Sequence, residues 1–364
     1  MAMLGRRGAL GLGLAMLARP AAAATQQTAF LSACADPDGG WRAAAFGLDG
    51  VPRFEQSIPA RGHGAAVAPD GGTAVVFGRR PGTFALVLDA TTGRIVRHIT
   101  RATDRWFSGH GVFSIDGSLL YATEIDGGGD GVVGVYRVGT DFARVGEFAT
   151  GGTDPHDIRF SPDGSFLVVA NGGIRTDPNL PRVRFDLDRI DSSLAKIDPA
   201  SGYLHALERL GDRERLLSMR HLAIGINGAV FVAMQYEGPA HEHPSLVAAE
   251  RGGVLATVDG DAATWRMLDN YTGGAAASPD GRLIAVTSPR GGVALVLDAM
   301  SGIVRTRFAL PDGSGVAAAS AGDFILTSGL GGAFLASHQG PLRRLPGRWV
   351  DRLRWDNHLV ALSG

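Results

Sequence analysis

Four histidines occupy the same place in four successive copies of one short pattern. The copies read Arg61-Gly-His63-Gly-Ala-Ala-Val-Ala-Pro-Asp-Gly71, Ser108-Gly-His110-Gly-Val-Phe-Ser-Ile-Asp-Gly117, Asp154-Pro-His156-Asp-Ile-Arg-Phe-Ser-Pro-Asp-Gly164 and Met219-Arg-His221-Leu-Ala-Ile-Gly-Ile-Asn-Gly228. In each, an imidazole precedes an apolar run that ends in an Asp-Gly or Asn-Gly turn. Neutral imidazole is the commonest metal ligand and suits zinc, copper, iron and nickel. One histidine at a strand start usually serves a local hydrogen bond, but four at equivalent positions suggest a common destination. His63, His110, His156 and His221 are therefore the candidate ligands of a metal ion.

Other groups fall at the ends of the strands that follow. Glu124 is a candidate fifth ligand, and a carboxylate beside several imidazoles suits iron, with copper second; its competing role is a surface acid. Asn171 and Gln235 are expected to orient imidazoles. Arg79, Arg80 and Arg290 offer charge to an anionic substrate or co-ligand, or simply form salt bridges. His241 and His243, in the loop 237–250, are candidate lid ligands, with an inert exposed pair as the alternative. His358 follows an Asp356-Asn357 turn, which places it on the opposite edge, so it is read as structural. The chain has no phosphate-cradling glycine loop, Gly-x-Ser-x-Gly elbow, Cys-x-x-Cys-His haem attachment or His-Glu-x-x-His run.

The elements that must position these residues are short strands. Three further copies lack the histidine, at Gly273–Gly281, Gly315–Asp323 and, in degenerate form, Trp349–Asn357. Seven strand–turn units predict an all-β, seven-bladed propeller over residues 25–364, in which equivalent positions face one axis. His63, His110 and His156 follow one another at intervals of 47 and 46 residues, and the next interval is 65. The excess lies in 174–193, which should border the histidine rim together with the 237–250 loop. Thr28–Cys34 and Trp41–Phe46 at one end, and Trp349–Trp355 and His358–Leu362 at the other, are expected to share one closing blade. Their order within it stays open.

The 53 glycines and 45% hydrophobic residues suit many tight turns around an ample core. A net charge of -1 gives no support for nucleic-acid binding. Residues 1–24 carry Arg6-Arg7, a short apolar stretch and Ala21–Ala24, the pattern of an export signal of the twin-arginine or the general secretory kind. The expected location is periplasmic. No segment is long and apolar enough to predict a membrane span, and a monomer is expected. Cys34 has no partner for an internal disulfide and should pack as a small apolar residue.

Arg61-Gly-His63-Gly, Asp154-Pro-His156-Asp, Val169-Ala-Asn-Gly-Gly173, Met219-Arg-His221-Leu-Ala, Gln235-Tyr-Glu-Gly-Pro239, Thr287-Ser-Pro-Arg-Gly-Gly292 and Trp355-Asp-Asn-His-Leu359 resemble a family of exported bacterial seven-bladed propellers of unassigned function. The resemblance covers nearly all of the chain beyond the leader. Genes of that family often lie near imelysin-type iron-uptake proteins and di-haem peroxidases, which implies periplasmic iron handling with such proteins as partners. The histidine ring is also similar to a reduced propeller copper site of nitrous oxide reductase, without that enzyme's further histidines or second copper domain. The leading expectation is a periplasmic metal-binding propeller for iron or a small metal complex. The alternatives are a metal-dependent oxidoreductase or lactonase-like hydrolase on the same scaffold, and a protein-interaction platform.

Overall fold

The structure, a computed structural model, describes residues 28–185 and 187–362. The expected leader, residues 1–24, lies outside them. The architecture is the expected all-β, seven-bladed propeller. The first blade runs outward through Gly62–Val67, Thr73–Gly78, Phe84–Asp89 and Ile95–Thr100. The next five have as inner strands Arg105–Phe113, Pro155–Phe160, Leu217–Ile224, Gly274–Ala277 and Gly313–Ala318, each against the inner strand of its neighbour.

The turns follow from their composition. In the third blade the Asp163 carboxylate accepts the Ser165 amide at 3.1 Å, and Gly164 takes φ 72°, a left-handed backbone that glycine adopts without a Cβ penalty. Between blades, apolar faces stack: Val75, Phe77 and Val87 meet Phe107, Phe113, Leu120 and Tyr136 in one buried cluster. Strands covered on both faces account for unbroken apolar runs such as Leu167-Val-Val-Ala170. Each large apolar side chain so buried contributes roughly 1.5–3 kcal/mol.

Both termini build the seventh blade, as expected. Its order, left open by the sequence, is C-terminal segment innermost, then Ala29–Ala35, Trp41–Gly47 and Pro52–Ser57. The inner position is filled by two short pieces, Arg354–Trp355 and Val360–Ala361, which pair with opposite ends of Ala29–Ala35. Trp349 does not begin a strand: Arg348–Arg352 is a helical turn that buries Val350 and brings its carbonyl 3.0 Å from the Trp355 indole nitrogen. Cys34 is buried in Ala29–Ala35 as an apolar residue, and burial first, then the Glu55 charge, pushes its thiol pKa up.

Candidate metal centre

Each repeat histidine stands where its inner strand slips register against the second strand. The slips fall between Gly62 and Ala65, Phe107 and Gly111, Pro155 and Asp157, and Met219 and His221. A β-bulge of this kind re-aims a side chain, here from the face of a blade toward the channel. The flanking glycines make room: a Cβ on Gly64 would stand 2.6 Å from the Gly109 carbonyl oxygen, and one on Gly109 2.6 Å from His63 Cδ2. Of the blades without this histidine, the fifth pairs Gly274–Ala277 without a slip and the sixth slips between Gly313 and Val316.

The four imidazoles converge. Ring centroids stand 5.1 Å apart for His63 and His110, 5.1 Å for His110 and His156, and 4.8 Å for His156 and His221. A fifth ring, His358, lies 4.2, 4.5 and 4.8 Å from His63, His110 and His221. This corrects the structural reading of His358. Its cause is the broken inner strand of the closing blade: Trp355 pairs with Cys34 and Val360 with Leu31, so four residues, 356–359, lie opposite only Ser32 and Ala33. The surplus bows into the channel, held by Ser32 Oγ on the His358 carbonyl, and carries the imidazole inward. Half of the chain's ten histidines thus meet in one place.

The same segment crowds glycines of the fifth and sixth inner strands. A Cβ on Gly274 would stand 3.0 Å from the Asn357 carbonyl oxygen, and one on Gly315 3.0 Å from Leu359 Cβ. The space is taken by the closing strand.

Among the described residues, one ligand atom each from His63, His110, His156 and His358 lies within 4.8 Å of the others, a set able to hold a metal ion; His358 takes the place expected of His221, which packs beside the set against His156, His358 and His110. His63 Nε2 and His358 Nε2 face each other at 3.1 Å. With bonds of about 2.0–2.1 Å, neighbouring nitrogens on one ion stand roughly 2.9–3.4 Å apart at right-angled to tetrahedral geometry. Three buried nitrogens, His110 Nε2, His156 Nε2 and His221 Nδ1, have no hydrogen-bond partner. Such orphans call for a water or an ion.

Two buried carboxylates back the ring. Asp157 Oδ1 lies 3.3 Å from His110 Nδ1, and Asp356 Oδ1 lies 3.4 Å from His63 Nδ1. A proton held on each Nδ1 leaves the Nε2 lone pair free to ligate. Burial pushes both carboxyls up, but Arg159 and His110 at Asp157, and His63 and Arg61 at Asp356, outweigh it and hold them well below the usual range. Neither acid was singled out in the sequence, although each adjoins or nearly adjoins a histidine. Asp157→Asn or Asp356→Asn is expected to weaken zinc binding about 10–100-fold. Calorimetric titration checks this, and unchanged affinity would separate the acids from the site.

Burial also drives the imidazole pKa values down: His63 to about 4 despite Asp356, and His156, His221 and His358 well below 6.5, with neighbouring imidazoles adding to the shift. Unfolded histidines take up protons from about pH 6.5 downward, and the folded ones resist. The unfolded state therefore binds more protons in that window, and stability rises with pH there. Metal-free protein should lose thermal stability as pH falls from about 6.5 toward 4, and His156→Ala should flatten that slope. A melting temperature independent of pH over this range would contradict the assignment.

The remaining candidates fall elsewhere. Glu124 is not a fifth ligand in this geometry: its buried carboxylate accepts from Tyr136 Oη and, at 2.9 Å, from Arg144 Nη2, on the flat face of the second blade. Tyr136 and Arg144 turn Glu124 into the blade, whereas the four repeat histidines come from inner strands. Asn171 Nδ2 donates to the Thr150 carbonyl and to Ser193 Oγ, and none of its bonds reaches an imidazole. Gln235, Arg80 and Arg290 line a vestibule of ≈ 460 Å³ that opens onto His63, His156 and His221. The 174–193 insertion borders it as expected, through a hairpin, Arg175–Asp177 with Leu180–Phe185. The other loop gives no lid ligand: His241 is exposed, and His243 Nδ1 lies 3.2 Å from Asn270 Oδ1.

A family model described as "Protein of unknown function (DUF1513)" matches residues 56–362, a span that includes all five clustered histidines. The chain belongs to this family. Among solved structures, this DUF1513 propeller is similar to Kuenenia stuttgartiensis hydrazine synthase, with a TM-score of 0.59 and 18% identity, over 81% of this chain and 91% of that one. That likeness concerns the fold alone. No curated protein matches the DUF1513 chain in sequence.

Proposed function

We propose that the chain is a periplasmic metal-binding protein that takes up one transition-metal ion among His63, His110, His156, His221 and His358. The observation that carries this reading is the set of three buried imidazole nitrogens without partners inside a five-histidine cluster. Imidazoles gathered only for packing would satisfy their nitrogens on the backbone, as His338 does on the Gly322 carbonyl at 2.9 Å. Burial supports the reading too, because it keeps the rings neutral and so ready to ligate.

With Glu124 facing away, the donors are all nitrogen. Such a set binds copper(II) more tightly than iron(II) or zinc on intrinsic affinity. Iron, the ion that the family resemblance points to, would then be held where supply rather than affinity decides. The four imidazoles whose ligand atoms lie within 4.8 Å of one another would complete a tetrahedral ion, which favours holding the metal over turnover at it. The basic and apolar leader at 1–24 supports the periplasmic placement.

The test is titration of protein lacking residues 1–24, stripped of metal, with copper(II), iron(II) and zinc(II) in turn. One equivalent of at least one ion should bind, copper tightest. Absence of stoichiometric binding for all three would return the cluster to a structural role.

A further inference from the structure

The vestibule above the histidines is lined by six arginines, Arg61, Arg79, Arg80, Arg184, Arg220 and Arg290. Their partners do not balance them. Arg61 pairs with Asp356 at 2.6 Å, and Arg184 pairs with Glu237. Arg80 and Arg220 share one carboxylate, each on a different oxygen of Asp154. Arg79 and Arg290 form no ion pair among the described residues, and Asp177 is the other acid on the lining. The walls thus carry an excess of two positive charges, in a cavity narrow enough to concentrate their field.

The geometry around that excess is built. Arg220 is 1% exposed and its Nε has no partner. Arg290 lies over the Tyr271 ring at 4.5 Å, which fixes the guanidinium plane and leaves its N–H edge available. Asp154, pinned between two guanidiniums, holds a left-handed φ of 55° directly before Pro155-His156.

We propose that this vestibule is a binding site for a small polycarboxylate, held by Arg79, Arg80, Arg220 and Arg290. These arginines come from the first, fourth and fifth blades, so an extended anion with two or more carboxylates can bridge them where a single tetrahedral oxyanion cannot. The volume is of the size that takes a small organic ligand, and guanidinium pairs bidentately with carboxylate. The free acid and a metal chelate of it share this chemistry.

The site stands independently of metal binding, so it is tested on metal-free protein prepared with a neutral chelator. Citrate, titrated by calorimetry, should bind with a dissociation constant in the micromolar range, and inorganic phosphate at least tenfold more weakly. Arg79→Ala/Arg290→Ala removes two exposed arginines outside the Asp154 network. It should weaken citrate at least tenfold at unchanged melting temperature, with one equivalent of copper(II) still bound. Arg282→Ala, at a turn on the opposite edge of the ring, should leave citrate binding as it is. Tighter binding of iron(III) citrate than of citrate would identify the chelate as ligand, and the reverse order the free acid. Millimolar or weaker citrate binding, phosphate binding as tight as citrate, or a double variant equal to wild type would each overturn the proposal. None of these outcomes bears on the histidines.

Discussion

Protein carrying His110→Ala and His156→Ala is expected to lose copper(II) affinity by about a thousandfold or more while keeping a folded ring. Altering a residue that merely orients a ligand costs about 10–100-fold, and this variant removes two donors outright. Their rings stand at the middle of the cluster, 5.1 Å apart and each within 6.0 Å of at least two other imidazoles. The fold should survive because neither ring belongs to an apolar cluster. The residues that follow them, Gly111 and Asp157, keep their strand pairing through backbone atoms. Metal-free variant should melt within a few degrees of metal-free wild type, since removing two partnerless Nε2 atoms offsets the loss of the His110–Asp157 contact. Calorimetry with circular dichroism reads both quantities. Retained stoichiometric binding would exclude the two as ligands.

The second large effect concerns closure. A chain ending at Gly347 should lose cooperative unfolding, or melt at least about 15 °C lower. The missing segment buries Val350, Leu353, Trp355 and Leu359 in the cluster that joins the sixth and seventh blades, with the Trp355 ring 5.1 Å from Phe46. At roughly 1.5–3 kcal/mol each, their loss is comparable to the total stability of about 5–15 kcal/mol of a typical domain. It would also leave Ala29–Ala35 as a bare sheet edge, open to pairing with other chains. Thermal denaturation and light scattering measure the two consequences. An unchanged melting temperature would show that the ring does not depend on this strand.

The repeats made the blade number and four of the five clustered histidines legible, because a propeller converts equivalent sequence positions into equivalent distances from one axis. Second strands such as Leu283–Ser288 stood out as apolar runs for the same reason. His358 was misplaced because Asp356-Asn357 reads as one more strand-ending turn, whereas it belongs to a bow in a strand whose partner lies over three hundred residues away in sequence. Nothing local marks such a bow. Glu124 was drawn toward the channel by its position at a strand end. Which face of a blade a second-strand residue joins depends on partners such as Tyr136 and Arg144, and their register emerges only on folding. The single excess of positive charge shared by Arg80 and Arg220 was invisible for a similar reason, since Asp154 meets them from two different blades.

The bowed segment that carries His358 gives the chain an order of assembly. His63, His110, His156 and His221 can come together while the ring is still a gapped arc, but the fifth donor arrives only when the last residues have threaded alongside the first strand. An ion bound by His358 together with His63, His110 and His156 would then tie the two ends of the polypeptide to each other. At a thousand times its dissociation constant, such a ligand would shift the balance toward the sealed ring by about 4 kcal/mol. Loading and sealing would be one event, and a ring prised open at this seam would surrender its cargo.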